Sequence, residues 1–306
     1  MYPDPLVIAA IASELVIDPA FIEKDWYAVQ VLRAVAAHES DEMVTIFSGG
    51  TSLSKGHQLI ERFSEDLDFR CKYKNEGTQA HHKKVRRRYR ESMLATLSGV
   101  EHIDLDPESV GKGSEHFKVP LLYPKNFEIS SALRTDLLVE FSFTQPHEAP
   151  VLKPIQSIIA KYTGGEPEVE ILCLPPIEIA GDKINALMWR TLNLVRGDEN
   201  YDPATIRHLH DLAALHGEIM ANPALFVSLA HRAFAADQLR GPRMLEDPLY
   251  ESLVRAHRQI GNKKSSSAEY RTFVDAMSYA DDDNTISFEL ALDSFERLVA
   301  LFAPES

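Results

Sequence analysis

The clearest pattern near the start of the chain is helical. Apolar side chains recur every three or four residues over residues 19–37, which predicts an amphipathic helix. Asp18 and Pro19 suit the N-cap and the first position of that helix. A β-rich run at residues 43–47 follows and ends at two glycines. This run therefore predicts a strand that leads into a tight turn.

Alternating and helical patterns continue up to residue 143. They predict a helix over 51–61, a strand over 66–73, a helix over 78–98 and a strand over 133–143. In the last of these strands an apolar face alternates with a more polar one. The apolar face carries Leu137, Val139, Phe141 and Phe143, and the other face carries Asp136, Leu138, Glu140 and Ser142.

Prolines and glycines become frequent over residues 150–176, around a short predicted strand at 169–174. Beyond this region the periodicity is helical throughout. The predicted helices cover about 176–195, 203–217, 222–238, 246–259, 266–279 and 287–302. The sequence thus predicts an α+β fold: a mixed sheet flanked by helices, followed by a helical C-terminal part. We place the two domains at residues 1–175 and 176–306.

Composition narrows the class of protein. The 306 residues are 44% hydrophobic and 25% charged, which is ordinary for a soluble globular protein. No apolar run approaches the roughly 20 residues that cross a bilayer, and the N-terminus lacks a signal-peptide pattern. Two distant cysteines, Cys71 and Cys173, argue against a disulfide framework or a cysteine metal site. We expect a cytoplasmic protein without a membrane partner.

The net charge of −14 argues against nonspecific coating of nucleic acid. One local basic run could still dock a nucleic-acid substrate, although a solvated helix face is an equally good interpretation. The run carries Lys83, Lys84, Arg86, Arg87, Arg88 and Arg90.

The glycine turn is a candidate phosphate cradle. A strand that runs through two glycines into a helix exposes backbone N–H groups at a helix N-terminus, and these attract anions. The side chains beside the glycines add hydroxyl donors and a cation. The candidate nucleotide-binding residues are Ser48, Gly49, Gly50, Thr51, Ser52 and Lys55. The alternative is an N-capped helix after a tight turn, because such turns are common.

A pair of carboxylates strengthens the phosphate interpretation. Asp66 and Asp68 share one face of a predicted strand, while Leu67 and Phe69 face the core. Carboxylates held this close repel each other unless a cation lies between them, and Mg²⁺ is bound by one or two carboxylates plus substrate phosphates. Glu140 is our choice for a third metal ligand, with Asp136 as the alternative on the same face.

Three ordered motifs carry a family resemblance. Residues 22–27 (IEKDWY), 47–55 (FSGGTSLSK) and 60–68 (IERFSEDLD) resemble the AbiEii/AbiGii toxin family of nucleotidyltransferases, within the DNA polymerase β-like superfamily. The helical half is similar to that family at Lys183 and at the stretch 207–212. There Arg207 and Asp211 match the family pattern, but His208 replaces the usual acid. The resemblance spans roughly residues 20–215.

The resemblance implies a fold, an activity and a biological role. It implies a nucleotidyltransferase-like fold and transfer of a nucleoside monophosphate from an NTP to an acceptor, with Mg²⁺ or Mn²⁺ as cofactor. Asp66, Asp68, Lys183 and Asp211 are then the candidate catalytic residues, and Asp66, Asp68 and Glu140 the candidate metal ligands. It further implies the toxin of a bacterial toxin–antitoxin or phage-defence pair, with a cognate antitoxin and an RNA acceptor, tRNA first.

Several alternatives stay open at the level of sequence. Asp211 could orient Lys183 or activate the acceptor, and Arg207 with Asp211 could simply form a surface ion pair, four residues apart on a helix. The protein could also bind nucleotide or a partner without transferring anything. A third possibility is transfer to a small molecule, which would need no basic run.

Overall fold

The computed structural model describes residues 3–128, 134–240, 245–280 and 284–304. Residues divide into two compact units: unit 1 comprises 1–58 and 63–174, and unit 2 comprises 59–62 and 175–306. The sequence-based boundary at 175/176 lies one residue from the junction of the two units at 174/175. The short segment Leu59–Arg62 belongs to unit 2 although its neighbours on both sides belong to unit 1.

Unit 1 is built on an eight-stranded mixed sheet. Its strands are β1 (Met43–Ser48), β2 (Leu67–Tyr73), β3 (Asp104–Leu105), β4 (Gly111–Lys112), β5 (His116–Leu122), β6 (Leu137–Ser142), β7 (Val151–Ile155) and β8 (Val169–Cys173). Their order is β3-β5-β6-β2-β1-β8-β7, with β4 paired to β5. The central pairs β2/β6 and β1/β8 are parallel, and β1/β2 is antiparallel. The turn after β1 and the start of β2 therefore lie side by side.

The helices of unit 1 cover this sheet. They are α1 (Pro5–Leu15), α2 (Pro19–Ala36), the short α3 (Gly49–Thr51), which continues as a π-helical turn at Ser52–Gly56, α4 (Gln79–Ser98) and α5 (Ile158–Tyr162). The side chain of Asp18 caps α2 by accepting from the Ala20 N–H at 2.9 Å, as predicted. Apolar side chains of α2 and α4 share one core with the sheet, in which Leu67, Val139 and Phe141 are fully or almost fully buried.

Unit 2 is helical in the part that is described. Its α-helices are α6 (Pro176–Asn193), α7 (Arg207–Ala214), α8 (His216–Ala221), α9 (Pro223–Arg240), α10 (Leu249–Asn262), α11 (Lys264–Phe273) and α12 (Phe288–Ala300). Two 3₁₀ turns, Pro203–Ile206 and Asp275–Met277, complete it. The predicted helix over 203–217 is thus broken into three pieces.

The α+β fold with a helical C-terminal part is confirmed, but one predicted helix is wrong. Residues 51–61 do not form a continuous helix: the helical turn ends at Gly56, and Gln58 adopts a left-handed conformation with φ of 56°. The chain then extends, and Arg62 forms a β-bridge with Ser278. Tertiary pairing in unit 2 has overridden the local helical pattern.

Other differences concern strands and helix ends. The predicted strand over 133–143 is shorter, and Leu133 lies outside the described residues. The apolar face of that strand is confirmed, since Leu137, Val139 and Phe141 are fully buried and Phe143 is 3% exposed. Strand β5 was not predicted, although it alternates buried and less buried positions.

Among the described residues no single helix is long and apolar enough to cross a membrane. Only α1 and α2 together reach that length, and the chain bends by 118° between them.

Candidate active site

The glycine turn packs directly against the carboxylate of Asp68. Strand β1 ends at Ser48, whose register partner on β2 is Asp68. Gly49 follows with φ of +73°, and a Cβ there would lie 2.0 Å from Oδ2 of Asp68. Glycine is therefore required twice over, because the backbone is left-handed and because the carboxylate fills the space of a side chain.

Two hydroxyls of the turn tie it to the acidic strand. The Ser48 hydroxyl donates to the Asp68 carbonyl at 3.3 Å, and the Thr51 hydroxyl donates to the Asp66 carbonyl at 2.6 Å. Ser52 is fully buried, and its backbone N–H donates to the Gly49 carbonyl. In this arrangement the hydroxyls fix the shape of the turn, and anion binding by its N–H groups stays a prediction.

Asp66 and Asp68 flank the start of β2 on either side of Leu67. One oxygen of Asp66, Oδ1, is buried without a hydrogen-bond partner among the described residues. Burial, reinforced by the nearby charges of Glu65 and Glu140, raises the pKa of Asp66 to about 6. An unsatisfied buried carboxylate oxygen is costly, and a bound cation would remove that cost. The donor set at the start of β2 therefore fits a divalent metal ion.

A third carboxylate is not gathered with this pair. No three His, Cys, Asp or Glu side chains in the described ranges cluster closely enough to hold a metal ion. Glu140 is the register partner of Asp68 on β6, but its carboxylate pairs with Lys118 at 2.6 Å. The alternative, Asp136, pairs with Arg134 at 3.3 Å. The pair Asp66 and Asp68 suits an ion that completes its coordination with phosphate oxygens and water, as Mg²⁺ does.

Lys55 follows the glycine turn, and its ammonium contacts other residues of the same chain. Its ammonium forms an ion pair with Asp25 of α2 and lies 3.4 Å from the carbonyl oxygen of Gln156. Asp25 also accepts from the backbone N–H of Ile158 at 2.8 Å. Nucleotide binding by Lys55 stays a prediction, and the contacts observed are ones that anchor the helical turn to α2.

A second buried ion pair supports the segment before Asp66. Lys24 lies 3.0 Å from Oε2 of Glu65, and the same oxygen accepts from the Arg134 N–H at 2.6 Å. Sequence reasoning assigned no role to Lys24, Asp25 or Glu65. The signal was present, because these charged residues stand among apolar neighbours in the motifs at 22–27 and 60–68.

Lys183 and Asp211 meet inside unit 2. Lys183, on α6, lies 2.7 Å from Oδ2 of Asp211, on α7. Arg62 binds the same carboxylate with two hydrogen bonds, Nε to Oδ1 at 2.9 Å and Nη2 to Oδ2 at 2.7 Å. Burial alone would raise the pKa of Asp211, but the charges of Arg62 and Lys183 hold it well below its usual value. Sequence reasoning missed Arg62.

The surface-pair alternative for Asp211 is wrong, because its side chain is fully buried. Arg207 instead donates from Nε to the Phe273 carbonyl at 3.0 Å. His208 is half-buried on the same helix, and desolvation, with Lys183 and Arg190 nearby, lowers its pKa well below the usual value. His208 is therefore neutral at physiological pH.

The basic run lies on α4, and its members differ in their surroundings. Arg86 pairs with Glu115 at 3.2 Å, and Arg90 donates to the Gly113 carbonyl at 2.7 Å. Arg88 pairs with Glu42 while remaining about half exposed. The members on the exposed side are Lys83, Lys84, Arg87 and Arg88. The two packed arginines serve the fold of unit 1, so the exposed four are the better candidates for contact with a partner.

Comparisons with known proteins identify the fold and the family of the chain. The structure is similar to that of MenT4, a nucleotidyltransferase toxin from Mycobacterium tuberculosis H37Rv, with a TM-score of 0.58 and 16% sequence identity. The match covers 97% of this chain and 99% of that one. The fold is therefore that of a nucleotidyltransferase.

The family of the chain is shown by its match to a family sequence model. The sequence model of the AbiEii family, described as "Nucleotidyl transferase AbiEii toxin, Type IV TA system", matches residues 30–300. Because this range covers most of the chain, the protein belongs to the AbiEii family, and the resemblance inferred from the motifs is confirmed. A comparison with curated protein sequences gives no match.

Proposed function

We propose that this nucleotidyltransferase moves a nucleoside monophosphate from an NTP to an RNA acceptor, tRNA first, and that it depends on a divalent metal. One observation carries the proposal. The left-handed Gly49 lies against the carboxylate of Asp68, while Asp66 presents a buried oxygen without a hydrogen-bond partner among the described residues. A metal-bound triphosphate needs a turn that can bind an anion beside a pair that can bind a cation, and this arrangement supports the proposal.

The residues of the turn bind and orient the triphosphate. The N–H groups at Gly49 and Gly50 point from a helix start, where a partial positive charge favours phosphate oxygens. Ser48 and Thr51 hold the turn against β2, so that its position relative to Asp66 is fixed before substrate arrives. Such preorganisation brings the reacting groups together without a reorganisation cost during the reaction.

Asp66 and Asp68 would hold Mg²⁺ or Mn²⁺, which neutralises phosphate charge and stabilises the attacking and leaving oxygens. Glu140 is our candidate for a third ligand, and in that role it would have to leave Lys118. In the reaction the acceptor hydroxyl oxygen forms a bond to the α-phosphorus and its proton passes to water. The bond from the α-phosphorus to the bridging oxygen breaks, and pyrophosphate leaves with the electron pair.

Lys183 and Asp211 serve the same reaction in this proposal. Lys183 offsets negative charge on the triphosphate, and Asp211 orients Lys183 through their contact at 2.7 Å. The alternative role for Asp211, activation of the acceptor, is disfavoured because two cations hold its pKa well below the usual value, which makes it a weak base.

The acceptor is proposed to dock on the exposed side of α4. Lys83, Lys84 and Arg87 are exposed there and offer local positive charge on a chain whose net charge is −14. The family description implies a toxin with a cognate antitoxin. Since both NTPs and tRNA are cytoplasmic, we propose that the protein acts in the cytoplasm and arrests growth there.

A labelled-nucleotide transfer assay tests the proposal. The purified protein is incubated with each α-labelled NTP and Mg²⁺, with total RNA, protein or small molecules as acceptors. We expect label on RNA, and loss of that label in D66N and in D68N, because the amides keep the shape of the side chains and remove the charges. E170Q is the matched control, since it neutralises an exposed carboxylate in the same sheet.

Two other outcomes of this assay would contradict the proposal. Label on small molecules only would replace the RNA acceptor by a metabolite. If the wild type labels nothing and D66N still arrests growth on expression, the protein acts by binding, and the proposed transfer is wrong.

A further inference from the structure

The segment that leads into strand β6 lies beside the proposed metal pair. Strands β2 and β6 are parallel and directly paired, so the segments before them lie at the same edge of the sheet. The backbone of Arg134 is held there on both sides. Its N–H donates to Oε2 of Glu65 at 2.6 Å, and its carbonyl accepts from the ammonium of the buried Lys24 at 3.1 Å. Buried partners within unit 1 therefore fix Arg134 next to the residue that precedes Asp66.

The guanidinium of Arg134 is held less tightly than its backbone. The side chain is 50% exposed, and its Nε and Nη2 lie 3.3 and 3.4 Å from the two oxygens of Asp136. The buried guanidinium of Arg62 makes the same kind of contact with Asp211 at 2.9 and 2.7 Å. Because exposed ion pairs contribute little to stability, Arg134 can exchange Asp136 for another anion at small cost.

The charge of Arg134 acts on the metal pair. Burial is the main cause of the raised pKa of Asp66, and nearby carboxylates add to it. The charge of Arg134 opposes this rise more strongly than the charge of Lys24 does. The guanidinium thus offsets part of the negative charge at the start of β2. A divalent ion held by Asp66 and Asp68 would offset the same charge, which would leave the guanidinium available for phosphate oxygens.

The glycine turn and Arg134 lie on opposite sides of Asp66. The sheet order places β2 between β1 and β6. On the β1 side the Thr51 hydroxyl of the turn donates to the Asp66 carbonyl, and on the other side Arg134 precedes β6. A guanidinium presents its donors in a planar fork that binds phosphate oxygens bidentately. A polyphosphate chain at the metal pair would therefore have donors on both sides of β2.

We propose that Arg134 binds the polyphosphate chain of the nucleotide, on the side of Asp66 opposite the glycine turn. This inference rests on the proposed function, and it adds to the candidate site a residue that lies outside the sequence motifs. The exposed pair with Asp136 keeps the guanidinium beside the site until phosphate oxygens replace the carboxylate.

Two binding measurements separate phosphate binding from a structural role. Isothermal titration calorimetry is carried out with Mn²⁺ alone and with manganese tripolyphosphate, which contains the phosphate chain common to all NTPs. R134M should bind manganese tripolyphosphate about tenfold or more weakly, because it loses charge-assisted hydrogen bonds to phosphate. Its affinity for Mn²⁺ alone should equal or exceed that of the wild type, because a repelling cation has been removed from beside Asp66. R134K keeps the charge without the planar fork, and its affinity for manganese tripolyphosphate should lie between the two.

R33M is the matched control. Arg33 is an exposed arginine of unit 1 in the last turn of α2, and its Nη1 donates to Gln30 at 3.0 Å. R33M makes the same change of charge, and both affinities should stay at the wild-type level.

Two results for R134M would overturn the inference. The first is wild-type affinity for manganese tripolyphosphate. The second is an equal loss of affinity for Mn²⁺ alone, because it would show that Arg134 only holds the carboxylates in place. Should R134M fail to fold by circular dichroism, R134Q decides, because it removes the charge but can still donate a hydrogen bond to Asp136. Wild-type affinity for manganese tripolyphosphate in R134Q would then overturn the inference.

Failure of the inference and failure of the proposed function are distinguishable. If the wild type transfers nucleotide and R134M raises only the KM for RNA, the inference is wrong and the transfer reaction stands. If the wild type binds manganese tripolyphosphate through Arg134 but labels no acceptor, the inference is supported and the transfer reaction is wrong.

Discussion

Replacing Gly49 by alanine tests the central geometry of the proposed site. Gly49 has φ of +73°, and an added Cβ would lie 2.0 Å from Oδ2 and 2.8 Å from Cγ of Asp68. Contacts this short cannot persist, so either the turn or the Asp68 carboxylate has to move. Both are parts of the proposed triphosphate and metal site, and we expect G49A to lose nucleotide transfer.

The effect on stability has two components. An alanine in the left-handed region costs about 1–2 kcal/mol. Overpacking against the half-buried Asp68 side chain adds about 1–3 kcal/mol. Gly164 separates the two, because it has φ of +71° and nothing within 4 Å of an added Cβ. G164A should therefore show only the backbone cost, and the difference between the two variants measures the collision with Asp68.

The assay combines chemical denaturation with labelled-nucleotide transfer. We expect G49A to be about 2–5 kcal/mol less stable than the wild type and inactive, and G164A to be about 1–2 kcal/mol less stable and active. A G49A protein that transfers nucleotide at the wild-type rate would show that the turn and Asp68 need not be held in this arrangement. The proposed site would then be wrong.

Three further predictions address Lys55, Asp66 and the basic run. K55M should lower the free energy of unfolding by about 3–5 kcal/mol, because it leaves the buried Asp25 carboxylate without its cationic partner; a raised KM for NTP at unchanged stability would instead show direct phosphate contact. Because the pKa of Asp66 is raised to about 6, the native state holds its proton more tightly than the unfolded chain. The free energy of unfolding of metal-free wild type should therefore rise relative to D66N as the pH falls through about 6 toward 4, and parallel pH curves would contradict this. Charge reversal on the exposed side of α4 should weaken RNA labelling and its salt dependence, whereas reversal of three exposed cations elsewhere should not. The variants are K83E/K84E/R87E and, as control, K161E/R258E/K264E.

Much of the fold could be predicted because the spacing of apolar residues along the chain indicates which side chains are buried. Helix α2 occupies Pro19–Ala36 and strand β2 Leu67–Tyr73, each within a residue of its predicted end. The helix predicted over 51–61 failed because its second half is fixed by distant partners. Residues 59–62 pair with unit 2, and a local pattern of apolar residues carries no information about such pairing.

The proximity of Gly49 and Asp68 could be predicted because they are close in register. Gly49 directly follows β1, and Asp68 lies on its antiparallel neighbour β2, so a strand–turn–strand interpretation of the sequence already brings them near each other. Lys55 shows the limit of that reasoning. A cation one turn after a glycine pair suggests a phosphate ligand, but nothing local reveals that Asp25, thirty positions earlier, reaches its ammonium.

Arg62 shows why buried charge has to be counted in three dimensions. In the sequence it lies inside the motif at 60–68, next to Glu61, and resembles an ordinary surface residue. In the structure it is 2% exposed and bound to Asp211, 149 positions away. Asp211 contacts both Arg62 and Lys183, so the surroundings of Lys183 depend on a residue that no spacing rule connects to it.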